Sequence, residues 1–193
     1  MACVKKIQIE DTIYTAFTDF RTAIECNRIA TDETIGNFER ALGIICTVFG
    51  EKGIDNPRHY EKLLNWAKKW LSCGADVIEK DKKPDMDYIE DMDYIEASFM
   101  SDYQIDLENT EMEWHKFNKL MNGLSNSEFG NCCVLNRVRN LRNFDLSQIK
   151  DAKERKKMAE AKESVALKKH NKKKEITKEQ EASMNRLNEI LGL

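Results

Sequence analysis

Apolar residues recur at spacings of three and four along most of the chain, and this periodicity predicts a mainly helical protein. The strongest helix prediction starts at Pro57, because a proline at the first helical position gives up only an amide that would be unpaired anyway. Gly74 is expected to end that helix. Between residues 5 and 17, two short runs with Ile, Tyr and Thr flank a turn-like Glu10-Asp11, which is compatible with a short β-hairpin.

Residues that commonly cap helices predict where the other helices begin. Asp19 is expected to cap a helix that runs to about Ala30, and Thr31-Asp32 a second helix that Gly50 ends. The charged segment 75–85 lacks periodicity and is predicted to be an exposed loop. Three later helices are expected to begin at about Asp87, at Asp106 or Asn109, and at the capping box Ser125-x-x-Glu128.

The hexapeptide Asp-Met-Asp-Tyr-Ile-Glu occurs twice in succession, at residues 85–90 and 91–96. It is far shorter than a solenoid unit of roughly 20 residues, so we interpret it as a local insertion tolerated beside the loop. Its Asp-x-Asp spacing also occurs in calcium loops, but an EF-hand loop starting at Asp85 would need glycine where Glu90 stands. Calcium binding is therefore not favoured, and the acids are expected on the solvated face of a helix.

The C-terminal residues 149–193 are predicted to form a basic helical arm on a helical core domain of residues 1–148. From 149 to about 172 the chain is rich in Ala, Glu and Lys, which favours a long solvated helix. A capping box at Thr177 opens a short amphipathic helix. Three of its residues share a face that needs a partner surface, on a second subunit, on the acidic body or on another protein: Met184, Leu187 and Leu191. The predicted fold class is all-α, a helical bundle with a short N-terminal hairpin and a protruding C-terminal arm.

The charges of the chain divide near the same boundary. Residues 1–149 carry 18 lysines and arginines against 26 aspartates and glutamates, whereas residues 150–193 carry 13 against 8. An acidic body and a basic arm favour charged partners or attraction between the two parts. The arm lacks interleaved aromatic residues, so sequence-specific nucleic-acid binding is not favoured, although its lysines could contact phosphates. These are Lys168, Lys169, Lys172, Lys173, Lys174 and Lys178.

The sequence gives no support for several classes of protein and site. No run approaches the roughly 18 apolar residues of a membrane span, and the first residues lack the pattern of a secretory signal, so we expect a cytoplasmic protein without membrane association. The three histidines have no HExxH spacing, and the glycine-rich phosphate motifs and the GxSxG elbow are absent. We therefore expect no enzymatic activity, no cofactor and no metal site. The six cysteines, which include the vicinal Cys132-Cys133, contain no CxxC pair and are interpreted as small buried hydrophobic residues.

Aromatic residues form a further candidate binding surface. Trp66 and Trp70 are one helical turn apart and, with Trp114, could anchor another protein, because tryptophan is favoured at interface hot spots. Phe117 follows Trp114 at helical spacing and is assigned to the same surface. Packing inside the core is the alternative interpretation, and it is the commoner use of such side chains.

Four stretches of the sequence carry a family resemblance. They are Asp93-Tyr94-Ile95-Glu96-Ala97-Ser98-Phe99, then Tyr103-Gln104-Ile105-Asp106-Leu107, then Trp114-His115-Lys116-Phe117 with Leu120 and Gly123-Leu124, and Asp145-Leu146-Ser147-Gln148-Ile149-Lys150-Asp151. Their order and spacing resemble the landmarks of the bacteriophage "gp fifteen" family of long-tailed phages that infect Gram-positive bacteria. Thr18-Asp19-Phe20-Arg21 and Cys73-Gly74 also fall where that family has similar residues, and the resemblance spans roughly residues 7–160. The duplicated hexapeptide and the segment after Thr177 depart from the family pattern.

The resemblance implies a tail-gene product, encoded just before the tape-measure protein, where tail assembly chaperones usually lie. Such a protein is expected to bind the tape-measure protein, with tail-tube subunits as a further partner, in the cytoplasm of the infected or lysogenic host. It is expected to be absent from the mature virion. Two alternatives stay open: a minor tail component retained in the virion, and a nucleic-acid-binding accessory acting through the basic arm. The family supplies no catalytic residues, and the residues assigned to partner binding are Trp114, Phe117, Lys168, Lys169, Lys172, Lys173, Lys174, Met184, Leu187 and Leu191.

Overall fold

The structure is a computed structural model that describes residues 3–74, 84–126 and 132–168. Within these ranges the chain forms seven α-helices, three short 3-10 turns and one two-stranded sheet. The predicted fold class, a mainly helical protein with an N-terminal hairpin, is confirmed. Several predicted helix starts differ from the observed ones.

The N-terminal hairpin consists of β1 (Val4–Ile9) and β2 (Thr12–Phe17), which pair in antiparallel fashion. In the connecting turn Glu10 adopts a left-handed φ of 53°. Successive strand side chains point to opposite faces, and on the inner face Tyr14 is buried against the helices. The hairpin prediction is confirmed.

Helix α1 (Phe20–Thr31) begins where the sequence predicts it. The Asp19 carboxylate accepts a hydrogen bond from the amide of Arg21 at 3.0 Å, as expected of an N-cap. Its other oxygen accepts the amide of Met112 at 2.9 Å. One carboxylate therefore starts the helix and holds a distant segment beside it.

Helix α2 (Asn37–Phe49) starts later than the predicted cap at Thr31-Asp32. The Asp32 carboxylate instead accepts hydrogen bonds from the amide and the hydroxyl of Thr34, at 2.9 and 2.6 Å, and closes a turn. The N-cap is Gly36. Gly50 ends the helix as predicted, with a φ of 67° that favours glycine.

Helix α3 (Tyr60–Leu71) follows a 3-10 turn at Pro57–His59. The Asn56 side chain accepts the amide of Arg58 at 3.1 Å and so caps this turn. The prediction that a helical segment opens at Pro57 is confirmed.

Helix α4 (Met92–Tyr103) begins five residues after the predicted start. The Asp87 carboxylate accepts the amides of Ile89 and Glu90, at 2.8 and 3.0 Å, and thereby closes a single turn ahead of the helix. An aspartate that closes a turn and an aspartate that caps a helix have the same sequence signature, which explains the difference.

Helix α5 (Trp114–Asn122) is displaced from its predicted start for the same reason. The Asp106 carboxylate accepts the amide of Glu108 at 3.0 Å and holds a local turn. The observed N-cap is Glu113, whose carboxylate accepts the amide of His115 at 2.8 Å.

Helix α6 (Val134–Asn143) has Cys133 as its N-cap rather than the predicted Ser125. The Cys133 sulfur accepts the amide of Asn136 at 3.5 Å. Glu128, the partner residue of the predicted capping box, lies outside the described residues.

Helix α7 (Ala152–Ser164) is capped by Asp151 and ends well before the predicted residue 172. None of its side chains is buried, as expected for a solvated helix. However, the Lys162 ammonium donates to the carbonyl of Phe144 at 2.7 Å, and Leu167 is buried. The described part of the predicted arm is therefore attached to the body, and contacts continue across the predicted boundary at 148/149.

Phe117 lies at the centre of the core. Its ring stacks on Phe20 with centroids 4.6 Å apart, on Phe99 at 5.2 Å and on Trp114 at 5.8 Å. The rings come from α1, α4 and α5, so these three helices share one aromatic cluster. Aromatic pairs of this kind stabilise a fold beyond the area that they bury.

Candidate partner-binding surface

The core location of Trp114 and Phe117 corrects their assignment to a partner surface. Phe117 is 0% exposed and Trp114 is 6% exposed. The Trp114 indole N–H donates to the carbonyl of Leu71 at 3.0 Å, so its polar atom is also satisfied within the protein. The helical spacing could not distinguish an anchor from a core residue, and the core interpretation is the correct one.

Trp66 and Trp70, from the same candidate surface, also pack in the core, with ring centroids 6.2 Å apart. Of the binding residues predicted in the C-terminal arm, the structure describes only one. Lys168 is exposed at the end of the described chain. Seven of the remaining predicted residues lie outside the described residues: Lys169, Lys172, Lys173, Lys174, Met184, Leu187 and Leu191.

The outer face of the hairpin is an apolar surface that is not among the surfaces predicted from the sequence. Val4, Ile13 and Phe17 point to this face, and each is between 44% and 54% exposed. Val4 lies directly opposite Phe17 in the register, whereas Ile13 lies four residues along β2 from Phe17. Polar Lys6 and Thr15 separate the two apolar ends. The sequence did contain a signal for this surface, because successive side chains of a strand point to opposite faces. If Tyr14 lies on the buried face of β2, Ile13 and Phe17 must lie on the exposed face.

Contacts with the helical body hold this face in place. The Tyr14 hydroxyl and His59 Nδ1 share a buried hydrogen bond of 2.8 Å. The Lys52 ammonium donates to the carbonyl of Ile13 at 2.9 Å. At the other end of β2, the Phe17 ring lies beside Gly50, where an added Cβ would come within 3.7 Å of it. The outer face is thus presented by a hairpin that is fixed to the 3-10 segments and to the end of α2.

The outer face carries positive charge on a body that is acidic overall. Lys6 is its one charged residue, and no carboxylate belongs to this face within the described strands. At the turn, the Glu10 carboxylate accepts a hydrogen bond from the Lys62 ammonium at 2.6 Å, and this bond lowers the pKa of Glu10. Lys5, on the inner face, donates to Glu113 at 3.1 Å.

Other exposed apolar side chains are scattered over the described surface. Phe38 is 64% exposed on α2, and Met100 lies on α4. Single exposed apolar residues are normal on soluble proteins and need no explanation. The outer face of the hairpin differs because three of them share one small face.

A groove of about 630 Å³ lies where the ends of α4 and α5 meet the start of α6. Its Asp102 carboxylate accepts the amide of Ser125 at 2.8 Å, and this hydrogen bond lowers the pKa of Asp102. Burial raises the pKa of the Cys132 thiol, which also lines the groove. No histidine belongs to the described lining of the groove.

The cysteines and histidines of the described residues have structural surroundings. All six cysteines are free, and burial raises the pKa of the Cys26 thiol to about 12. Cys26 and Cys133 are buried, as predicted for all six, whereas the other four are only half-buried. His115 Nε2 lies 2.9 Å from the carbonyl of Trp70. The part of the chain that the structure describes contains no cluster of three metal-binding side chains.

Within residues 3–74, 84–126 and 132–168, no helix combines the length and the apolar composition that crossing a bilayer requires.

Comparisons with known proteins give one match. A family model described as "Bacteriophage Gp15 protein" matches residues 2–167, which is most of the chain. The matched range includes the hairpin, the seven helices of the described residues and Leu167. A comparison with curated proteins and one with solved structures each returned no match.

Proposed function

Because the chain belongs to the bacteriophage Gp15 protein family, we propose that it is a tail assembly chaperone that binds the tape-measure protein of its phage. The family supports a phage protein, and the resemblance noted above supports a gene position beside the tape-measure gene. In this proposal the protein acts by binding and not by catalysis, in the cytoplasm of the infected bacterium.

The observation that carries the proposal is the apolar outer face of the hairpin. A tape-measure protein is a long helix-forming chain whose apolar stripes would aggregate before the tail tube encloses it. A chaperone for such a chain needs an exposed apolar surface on a stable support. Val4, Ile13 and Phe17 supply that surface, and the buried Tyr14–His59 hydrogen bond helps to support it.

The spacing of the outer face fits an amphipathic helix. Ile13 and Phe17 are four residues apart, which corresponds to about 13 Å along β2. On a helix, apolar residues about two turns apart lie at a similar distance, since each turn rises by about 5.4 Å. Ile13 at one end, and the pair of Val4 and Phe17 at the other, would thus contact residues that lie two turns apart on one apolar stripe.

Co-expression with the tape-measure protein of the same phage tests the proposal. The unaltered chain should keep the tape-measure protein in the soluble fraction and co-purify with it. The double variant Ile13→Ser/Phe17→Ser should lose most of this effect, because it removes two of the three apolar contacts. Phe38→Ser is the matched control, since Phe38 is more exposed than either residue but lies on another element.

Three outcomes would contradict the proposal. The chaperone function would lose its basis if the tape-measure protein were equally soluble without the chain. Stoichiometric presence of the chain in purified virions would favour the minor tail component, and salt-sensitive retention of DNA would favour the nucleic-acid-binding accessory.

A further inference from the structure

The two copies of the hexapeptide have the same sequence but different environments. The second copy, residues 91–96, contains the start of α4, and its Ile95 is 0% exposed. The first copy, residues 85–90, forms the turn before the helix, and its Ile89 is 43% exposed. Helical packing therefore explains the second copy. In the first copy Met86 and Tyr88 also pack against the core, but the exposed Ile89 and the acids are not explained by packing.

The first aspartate of each copy pairs with its own arginine on α6. The Arg142 guanidinium donates to both oxygens of the buried Asp91 at 2.7 Å. Arg139 Nε donates to Asp85 at 3.2 Å, and the side chain amide of Asn143 donates to the same oxygen at 3.0 Å. Arg139 and Arg142 are three residues apart and so lie on one face of α6. The repeated acids thus match a repeated base on the facing helix.

The first copy also contacts the segment that follows α7. The backbone amide of Lys168 donates to the Glu90 carboxylate at 2.7 Å. Arg142 donates through Nε to the carbonyl of Val165 at 2.6 Å, and through Nη1 to the carbonyl of Asp85 at 2.9 Å. Leu167, between these two anchoring points, is buried. In the second copy, Glu96 makes no hydrogen bond to the described residues 165–168.

We propose that the first copy of the hexapeptide is the docking surface for residues 165–168 of the same chain, and so anchors the C-terminal arm. The second copy builds α4 and positions Arg142 through Asp91. The first copy, displaced by six residues, supplies the carbonyl of Asp85 and the carboxylate of Glu90. In this view the duplication is not an insertion that the loop merely tolerates: it gives the lysine-rich stretch that begins at Lys168 a fixed starting point on an acidic surface.

Because the two copies have the same sequence, the same substitution can be made at the equivalent residue of each copy. Glu90→Ala removes the carboxylate that accepts the Lys168 amide, whereas Glu96→Ala makes the same change in the same local sequence without touching residues 165–168. Hydrogen exchange in the folded full-length chain is the measurement. Glu90→Ala should speed exchange of the Lys168 amide about tenfold or more, and should speed tryptic cleavage after Lys168. Glu96→Ala should leave both rates unchanged. Equal effects of the two variants, or no effect of Glu90→Ala, would overturn the proposal.

A chain with a single hexapeptide provides an independent test, and deleting either copy yields the same sequence. The remaining copy should still start α4 and pair with Arg142, whereas residues 165–168 should exchange at least as fast as in Glu90→Ala. Tyr88 of the first copy packs against Trp114 with ring centroids 5.7 Å apart, so exchange is compared well below the Tm of both chains. Unchanged exchange at residues 165–168 in the folded single-copy chain would overturn the proposal. If this chain does not fold, the Glu90→Ala and Glu96→Ala pair decides alone.

Discussion

At the scale of single residues, Asp91 is the one carboxylate that is buried in the described part of the chain. It is a fully buried carboxylate, and the side chain of its bidentate partner Arg142 is only 10% exposed. The hydrogen bond from Arg142 to Asp91 in turn raises the pKa of Arg142 above its usual range. Removing one member of such a pair leaves the other buried and unpaired, which costs far more than the pair itself contributes.

Asp91→Ala should therefore lower the free energy of unfolding by about 3–5 kcal/mol, because it leaves the Arg142 guanidinium buried without its counter-charge. Asp85→Ala is the matched control, since Asp85 is the equivalent residue of the other hexapeptide copy and is partly exposed. It should cost at most about 1 kcal/mol. Urea unfolding of both variants measures the two free energies of unfolding. Similar losses in the two variants would show that burial of Asp91 does not make its ion pair more important for stability than that of Asp85.

At the scale of secondary-structure elements, periodicity predicted which elements exist better than where they begin. The hairpin, α1 and the segment at Pro57 could be predicted because alternation, an aspartate cap and a proline each have one dominant structural meaning. The starts of α2, α4 and α5 could not, because Asp32, Asp87 and Asp106 each close a local turn with the chemistry that also caps a helix.

The hairpin also contains a pH-sensitive contact. Hydrogen bonds from Lys62 and then from His59 lower the pKa of Glu10 in the folded protein. A lowered folded pKa means that the stabilisation is present above the unfolded pKa of about 4.3 and is lost as the pH falls through the folded value.

Glu10→Gln should consequently be less stable than the unaltered chain near pH 6, and this difference should shrink as the pH falls toward 3. Thermal unfolding of both chains across this range measures the difference in Tm. A difference in Tm that stayed constant, or grew, on acidification would contradict the role assigned to the ionised carboxylate.

At the scale of the whole molecule, the described start of the predicted C-terminal arm contacts the body, which the sequence did not indicate. Composition correctly indicated that α7 is solvated, since none of its side chains is buried. It could not show that Leu167 folds back into the core, because one apolar residue after a charged helix produces no periodic signal. The outer face of the hairpin could not be predicted for a related reason. Helical spacing and charge assigned partner binding to aromatic residues that lie in the core and to residues from Lys168 onward.

A chain that ends at Asp151 should therefore be less stable than the full chain. Loss of the buried Leu167 side chain alone corresponds to about 1.5–3 kcal/mol. A chain that ends at Lys168 keeps Leu167 and the Arg142–Val165 hydrogen bond, and is the matched control. Urea unfolding of the two truncated chains measures the effect of residues 152–168, and equal stabilities would restore the prediction of a separable arm.

The most direct test of the central claim, that the outer face of the hairpin binds the tape-measure protein, is hydrogen exchange of the chain alone and in that complex. The account predicts slower exchange in the complex for the amides of Val4–Ile9 and Thr12–Phe17, and unchanged exchange for α6. A complex that forms while hairpin exchange stays unchanged, or the absence of any complex, would contradict it.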